Sequence, residues 1–373
     1  MDHGIVKASG NVTLKSIAGT VRYVGPSCTY TTIQSALTAC VAGDTVLVMP
    51  GTYTEAITFA VDNVTLKAVG DYTNTIITQA SAQVVSFSTM SGCVVEGFTV
   101  SVTAADGTTD YVIYSNNDDA TAYNYVKNCK VTFASSVALY PLVGIYINDG
   151  NMELRDCIVT GTMTYAGTTS SGGFCILNKV TPSILDIWDC NITMNNSTTD
   201  GDVYSVGIYN AYASASTLNL WNTYISINVA GKTNHEAKAV FTYGPTYIYN
   251  SYLEAIDSDT GKPRCVYLGN EVLAGGIYNT TIKATSTDND AECVYAGTGI
   301  LGIYGGQLLG DGVYNPGTGV TAYGLLLKTS INAGYGVVSP ATTGGSGTAG
   351  SGNQYFPMTV NGITYKILHD GTV

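Results

Sequence analysis

Charge is scarce in this chain. Asp, Glu, Lys and Arg make up 11% of its 373 residues, against 45% hydrophobic. That ratio excludes a disordered chain, which combines high charge with low hydrophobicity. Basic residues are the scarcer sign: 15 Lys+Arg face 27 Asp+Glu, for a formal net charge of -12. Such a chain repels phosphate, so nucleic acid is excluded as a partner. Histidine occurs three times, and with His3 and His369 near the ends, His235 is the one imidazole placed for catalysis. No run approaches the roughly 20 apolar residues of a spanning helix, so no membrane span is expected. The start, Met1-Asp2-His3-Gly4, has no basic stretch ahead of an apolar one, so no secretory signal is expected. The nine cysteines include no Cys-x-x-Cys pair and no Cys/His cluster at zinc spacing. Nine is odd, which leaves at least one thiol free or paired between chains.

What the chain has instead is glycine, tyrosine and a repeat. The pattern apolar-x-(Gly/Asn/Asp)-x-x-apolar begins at Val95, Val126, Leu154, Ile187, Leu220, Ile248, Ile277 and Ile303, at intervals near thirty residues. Its third position reads Gly97, Asn128, Asp156, Asp189, Asn222, Asn250, Asn279 and Gly305. These residue types enter left-handed backbone at least steric cost, so each repeat is expected to turn a sharp corner at one place. A second series, Ile113, Ile145, Cys175, Ile208, Phe241, Val266, Val294 and Leu325, keeps step with the first. Two short strands per repeat, with loops absorbing the length differences, are the signature of a β-solenoid. Helical periodicity occurs only over Thr31–Cys40.

The segments Tyr30-Thr31-Thr32-Ile33-Gln34-Ser35-Ala36-Leu37, Gly43-Asp44-Thr45-Val46-Leu47-Val48, Pro50-Gly51-Thr52-Tyr53-Thr54-Glu55 and Val64-Thr65-Leu66-Lys67 resemble the opening of pectin-lyase-like right-handed parallel β-helices. The resemblance implies an all-β single-stranded solenoid with an N-terminal capping helix. It is specific over residues 28–70 and continues as coil periodicity to about residue 330. It assigns no reaction, because this fold carries lyases, hydrolases, esterases and non-enzymatic fibres. The chain has Asp118-Asp119 but no Gly-His-Gly as polygalacturonases have, and Gly51–Glu55 is not followed by the Gln-Asp and Asp-Phe segments of pectin methylesterases. The expected organisation is an N-terminal segment 1–27, a capping helix and turn 28–45, nine to ten coils over 46–340, a Gly/Ser linker 341–354 and a β-hairpin tail 355–373.

Alternation along the strands places two rows of aromatics outside. One is Trp188, Trp221, Tyr249, Tyr278 and Tyr304; the other is Tyr114, Tyr146, Tyr209, Tyr267 and Tyr295, interrupted by Ile176 and Thr242. Such rows suit sugar rings, a second subunit, or simple self-packing along the solenoid. Cys129, Cys157 and Cys190 share one repeat position, and Cys265 and Cys293 another. Small apolar fillers with free thiols account for them. Cys28 and Cys40 bracket the cap helix, where a disulfide is an open alternative.

The turns between the two series carry the acidity: Asp200 and Asp202, His235 and Glu236, Asp257 and Asp259 with Arg264, and Asp288 and Asp290 with Glu292. Stacked turns place these along one edge, near Lys232, Lys238 and Lys262. Paired carboxylates there have the chemistry of a glycoside hydrolase, and a Lys or Arg that of a lyase base. No cofactor is required, although Asp257-Ser258-Asp259-Thr260-Gly261 has alternating oxygen donors ahead of a Gly, as a Ca²⁺ loop does.

After Leu327 the rhythm fails. Thr342–Gly352 has linker composition, and Tyr355–Leu368 reads as a hairpin around Asn361-Gly362. This ending resembles the terminal segments of phage structural proteins. The resemblance implies a virion-associated tail spike, fibre or capsid appendage, a homo-oligomer such as a trimer. Its partners would be other virion proteins and a surface polysaccharide, and its location the virion or an extracellular surface. A polysaccharide-degrading enzyme and a bacterial adhesin are the alternatives.

Overall fold

A computed structural model shows three parallel sheets wound by one chain into a right-handed β-helix. It describes residues 19–80, 83–102, 111–117, 119, 121–135, 142–164, 172–179, 183–197, 204–211, 216–230, 236–258, 261–269, 275–287, 291–296 and 301–310. The strands at 320–323, 326–329, 335–337, 355–360 and 363–368 are described by backbone alone. The linker 341–354, Asn361-Gly362 and Leu325 lie outside the described residues.

Each coil contributes three strands rather than the two expected. Typical are Ile184–Trp188 in the first sheet, Asn191–Asn196 in the second and Tyr204–Asn210 in the third. Among the described residues the sheets hold twelve, twelve and nine strands respectively. Sequence alternation concealed the second strand because only two residues, here Asp189-Cys190, separate it from the first.

The first-sheet ladder pairs Val95, Val126, Leu154, Ile187, Leu220, Ile248, Ile277 and Ile303 in strict register, all fully buried. Val131, Val159, Ile192, Ile225, Leu253 and Ile282 do the same in the second sheet. Their apolar area is removed from water by the coils above and below, which is the main favourable term in a solenoid.

The expected corners are present. Asn128, Asp156, Asp189, Asn222, Asn250 and Asn279 have φ of 47–54°, and Gly97 and Gly305 have φ of 85° and 66°. The turn leaves the ladder unbroken: the amide of Asn222 donates to Tyr249 O at 3.0 Å and that of Asn250 to Tyr278 O at 2.9 Å.

The next position forms a second, side-chain ladder. Thr223 Oγ1, Ser251 Oγ and Thr280 Oγ1 each donate to the carbonyl two residues back, at 2.9, 2.8 and 3.0 Å. Cys129, Cys157 and Cys190 make the same contact through Sγ at 3.2 Å. These thiols carry no disulfide and are buried, as expected. They are members of a hydroxyl-like row, however, and not only apolar fillers, and the amide of Cys190 accordingly donates to Thr223 Oγ1. Burial pushes the Cys129 and Cys157 thiols up. Cys28 and Cys40 are also free thiols.

Ahead of residue 46, Val21–Val24 pairs with Thr45–Val48 and extends the first sheet. A helix at Ile33–Thr38 packs against both strands. Glu55 accepts from the amides of Ile33 and Gln34 at 2.8 and 3.0 Å, satisfying donors that a helix start leaves open. Asp44 accepts from Thr20 N, Val41 N and Arg22, and those bonds hold its carboxyl below the usual range. Near the end of the chain, Tyr355–Val360 pairs antiparallel with Ile363–Leu368.

A β-branched residue in left-handed backbone costs about 1–2 kcal/mol. Asn222→Val is therefore expected to lower the melting temperature by several degrees more than Asn222→Gly. Equal melting temperatures would show that the corner conformation does not constrain this position.

Candidate functional site

The third sheet departs from simple alternation. Val143 pairs with Phe174 and Ile145 with Ile176, so Gly144 and Cys175 are passed over, and Gly207 and Ala239 are passed over likewise two coils on. The passed-over residue and the one after it are both buried: Cys175 with Ile176, Ala239 with Val240, Cys265 with Val266. Two successive inward side chains cannot occur in a straight strand, so these third-sheet strands bend here. At Gly144 and Gly207 the bend leaves no room for a side chain. A Cβ on Gly144 would lie 2.6 Å from Cys175 O, and one on Gly207 2.6 Å from Ala239 O.

The bend corrects the expected second series. Cys175 is inward as a bend residue, but the ladder position is Ile176; Phe241 is not inward at all, since Val240 holds the ladder. Ile176 and Thr242 therefore do not interrupt the outer row; both are buried, and Leu177 and Phe241 occupy the row. Period-two counting misses a position once per strand wherever a bend adds a residue.

Outside the bend, one row runs Tyr114, Tyr146, Leu177, Tyr209, Phe241, Tyr267 and Tyr295. Tyr209 and Phe241 stack at 4.5 Å, and Tyr267 and Tyr295 at 4.8 Å. Between these pairs the stack breaks: Phe241 and Tyr267 meet edge to face at 78°. On the other side of the bend Val206 pairs with Lys238, and Arg264 with Glu292.

At the break lies a hollow of about 390 Å³ with walls from Phe174, Tyr204, Tyr209, Phe241 and Tyr267 and polar groups from Glu236, Lys238 and Arg264. Arg264 links two carboxylates, donating from NH1 to Glu236 Oε1 and from Nε to Glu292 Oε2, each at 2.9 Å. Lys262 reaches Glu292 at 3.2 Å, and Lys238 donates to Glu236. Three cations thus meet two carboxylates in a chain that is acidic overall.

Lys238 is 2% exposed, with Nζ 4.6 Å from the Tyr204 ring centroid and 5.1 Å from those of Phe241 and Tyr267. Burial pushes its pKa down and the Arg264 charge adds to that, while Glu236 opposes both. Burial raises the Tyr209 hydroxyl to about 12, so it stays a neutral donor near pH 7.

Among the residues singled out by sequence, Glu236 lines the hollow, at the start of the strand Glu236–Thr242 rather than in a turn. Tyr209 and Tyr267 line it too, and Tyr295 stacks on Tyr267. Asp257 ends the second-sheet strand Tyr252–Asp257, is buried, and does not line the hollow. Asp200, Asp202, His235, Asp259, Asp288 and Asp290 lie outside the described residues, as do Lys232 and Asp118. Among the described residues no group of three or more His, Cys, Asp or Glu is arranged to hold a metal ion. The sequence places Lys238 and Arg264 beside the acidic turns, as cations with the chemistry of a lyase base, and not in a hollow. Their pairing through the coils, 28 residues apart for Arg264 and Glu236, was the available signal.

The other aromatic row forms a continuous stack. Trp188 and Trp221 lie 3.7 Å apart, Trp221 and Tyr249 5.8 Å, Tyr249 and Tyr278 4.8 Å, and Tyr278 and Tyr304 4.9 Å, all within 8° of parallel. Arg155 covers Trp188 at 5.4 Å. Inside the stack the ring faces are turned on one another, which leaves ring edges toward solvent.

No family model matches the chain, and no curated protein does. Solved structures share the parallel β-helix fold. A pectin methylesterase from Aspergillus niger is 15% identical, with 70% of this chain and 84% of that one covered and a TM-score of 0.42. Pectin methylesterase from carrot is 15% identical, with 84% and 90% covered and a TM-score of 0.44. The tailspike gp49 of Acinetobacter baumannii bacteriophage Fri1, a capsular polysaccharide depolymerase, is 11% identical, with 86% and 62% covered and a TM-score of 0.36.

Hydrogen bonds to charged groups contribute about 1.5–3 kcal/mol each. Arg264→Met is expected to destabilise the fold by about that amount, and Arg264→Lys to recover only part, because a point charge does not span two carboxylates. Full recovery by Lys in a thermal melt would contradict the bridging role.

Proposed function

We propose that this chain is a glycan-binding β-helix of a virion or extracellular surface, holding a sugar chain against the outer face of its third sheet. The hollow at the Phe241–Tyr267 break carries the reading. Aromatic walls offer apolar faces to a sugar ring, while Arg264, Lys238 and Glu236 offer charged hydrogen-bond groups to its substituents. The Trp188–Tyr304 stack serves the rod itself, since its ring faces are already occupied.

On this reading the chain is an attachment element, a tail spike, fibre or capsid appendage assembled as a homo-oligomer, with other virion proteins as neighbours. The phage-like ending of the sequence, from Tyr355 to Leu368, supports that setting.

Binding to an oligosaccharide panel followed by calorimetry tests the site. Tyr204, 50% exposed beside the hollow, can be cut back with little cost to packing. Tyr204→Ala is expected to weaken the best ligand about tenfold, equivalent to about 1.4 kcal/mol, whereas Trp221→Ala should leave affinity unchanged. The opposite ranking would move the site to the other stripe. Release of reducing ends or unsaturated sugars from the panel would instead support a hydrolase or lyase.

A further inference from the structure

Lys238 is an unusual side chain for this position. Its partner one coil back is Val206, the Arg264 charge acts on it from the next coil, and the aromatic rings of Tyr204, Phe241 and Tyr267 enclose its amine. An exposed lysine is a protonated, unreactive ammonium at neutral pH. Two things make such an amine nucleophilic: removal from water in an apolar pocket, and a second cation beside it. Both are present. Lys238 is 2% exposed and Arg264 bonds the same Glu236 carboxylate, and together burial and that charge hold its pKa below the ordinary lysine value against the pull of Glu236. The ammonium also has a proton acceptor in place, since it donates to Glu236 Oε2. Glu236 is itself positioned by Arg264 NH1 at 2.9 Å.

We propose that Lys238 is a nucleophilic amine that condenses with an aldehyde or ketone in the hollow, so that the chain captures a small carbonyl compound, such as an open-chain sugar, as an imine. The atoms balance without an oxidant or reductant. Glu236 takes one proton from the ammonium, freeing the nitrogen lone pair. The nitrogen attacks the carbonyl carbon, a C–N bond forms, and the C=O π pair moves to oxygen, which receives the proton back from Glu236. A second nitrogen proton then passes by way of Glu236 to that hydroxyl, and the C–O bond breaks. The ammonium and the carbonyl compound thereby become a protonated imine and one water, with charge conserved. A hollow of about 390 Å³ has room for a carbonyl compound of a few carbons beside the amine. The glycan-binding reading rests on the aromatic walls and does not depend on this step.

The test uses the full chain at pH 7 with glycolaldehyde and cyanoborohydride, which reduces an imine to a stable secondary amine. Peptide mass spectrometry then reads the modification rate at each lysine. Lys238 is expected to be modified about tenfold or more faster than Lys67, whose side chain is 46% exposed in an ion pair with Glu96. Lys238→Arg should melt near the parent and lose the fast adduct. Modification of Lys238 no faster than of Lys67 would overturn the proposal and leave the amine as a member of the ion network. Failure of glycan binding alone would leave the imine result standing.

Discussion

Successive coils of this chain are joined by one hydrogen-bond ladder that runs along the strands and also through the corner, where the amide of Asn222 reaches Tyr249 O and that of Asn250 reaches Tyr278 O. The corner residue holds a left-handed conformation so that its amide keeps that direction. Because the ladder does not slip at the turn, equivalent positions of all coils lie above one another on either side of it. A residue type at one position thus becomes a row: leucine and isoleucine inside, tryptophan and tyrosine outside, and Cys, Thr or Ser where a small donor must reach a carbonyl two residues back. Stability then depends on rows of neighbours rather than on ion pairs, which is why a chain with so little charge can fold.

The same constraint explains why the charge that is present matters. Beside the bend in the third sheet, Lys238 lies over the rings of Phe241 and Tyr267 and Arg264 over that of Tyr267. Stacking sets Arg264 between the carboxylates of Glu236 and Glu292, with Lys262 also on Glu292. In the adjoining row the ring stack breaks at the edge-to-face pair, and that break makes the space for the hollow. The intact stack from Trp188 to Tyr304 has no such break. Regular stacking consumes ring faces, and only a departure from it offers them to a ligand.

The corners and the Trp188–Tyr304 row were legible in the sequence because a positive-φ turn demands Gly, Asn or Asp and because alternation on a straight strand fixes which residue faces out. The second-sheet strands were not, since corners of two residues merge adjacent strands into one apolar pattern. The third sheet was misread at Cys175 and Phe241, where the bend places two residues inward in succession. Glu236 stood out for its acidity, but its setting did not: the partners that make it part of a charged, aromatic hollow come from neighbouring coils, and sequence spacing shows neither burial nor the direction in which a lysine points.

A crystal structure of the chain soaked with its best-binding oligosaccharide tests the central claim, that the break in the third-sheet aromatic row is what this β-helix offers to a ligand. The account predicts sugar density in the hollow, against Tyr204, Phe241 and Tyr267 and within hydrogen-bond reach of Arg264. Density along the Trp188–Tyr304 stripe with an empty hollow would contradict it.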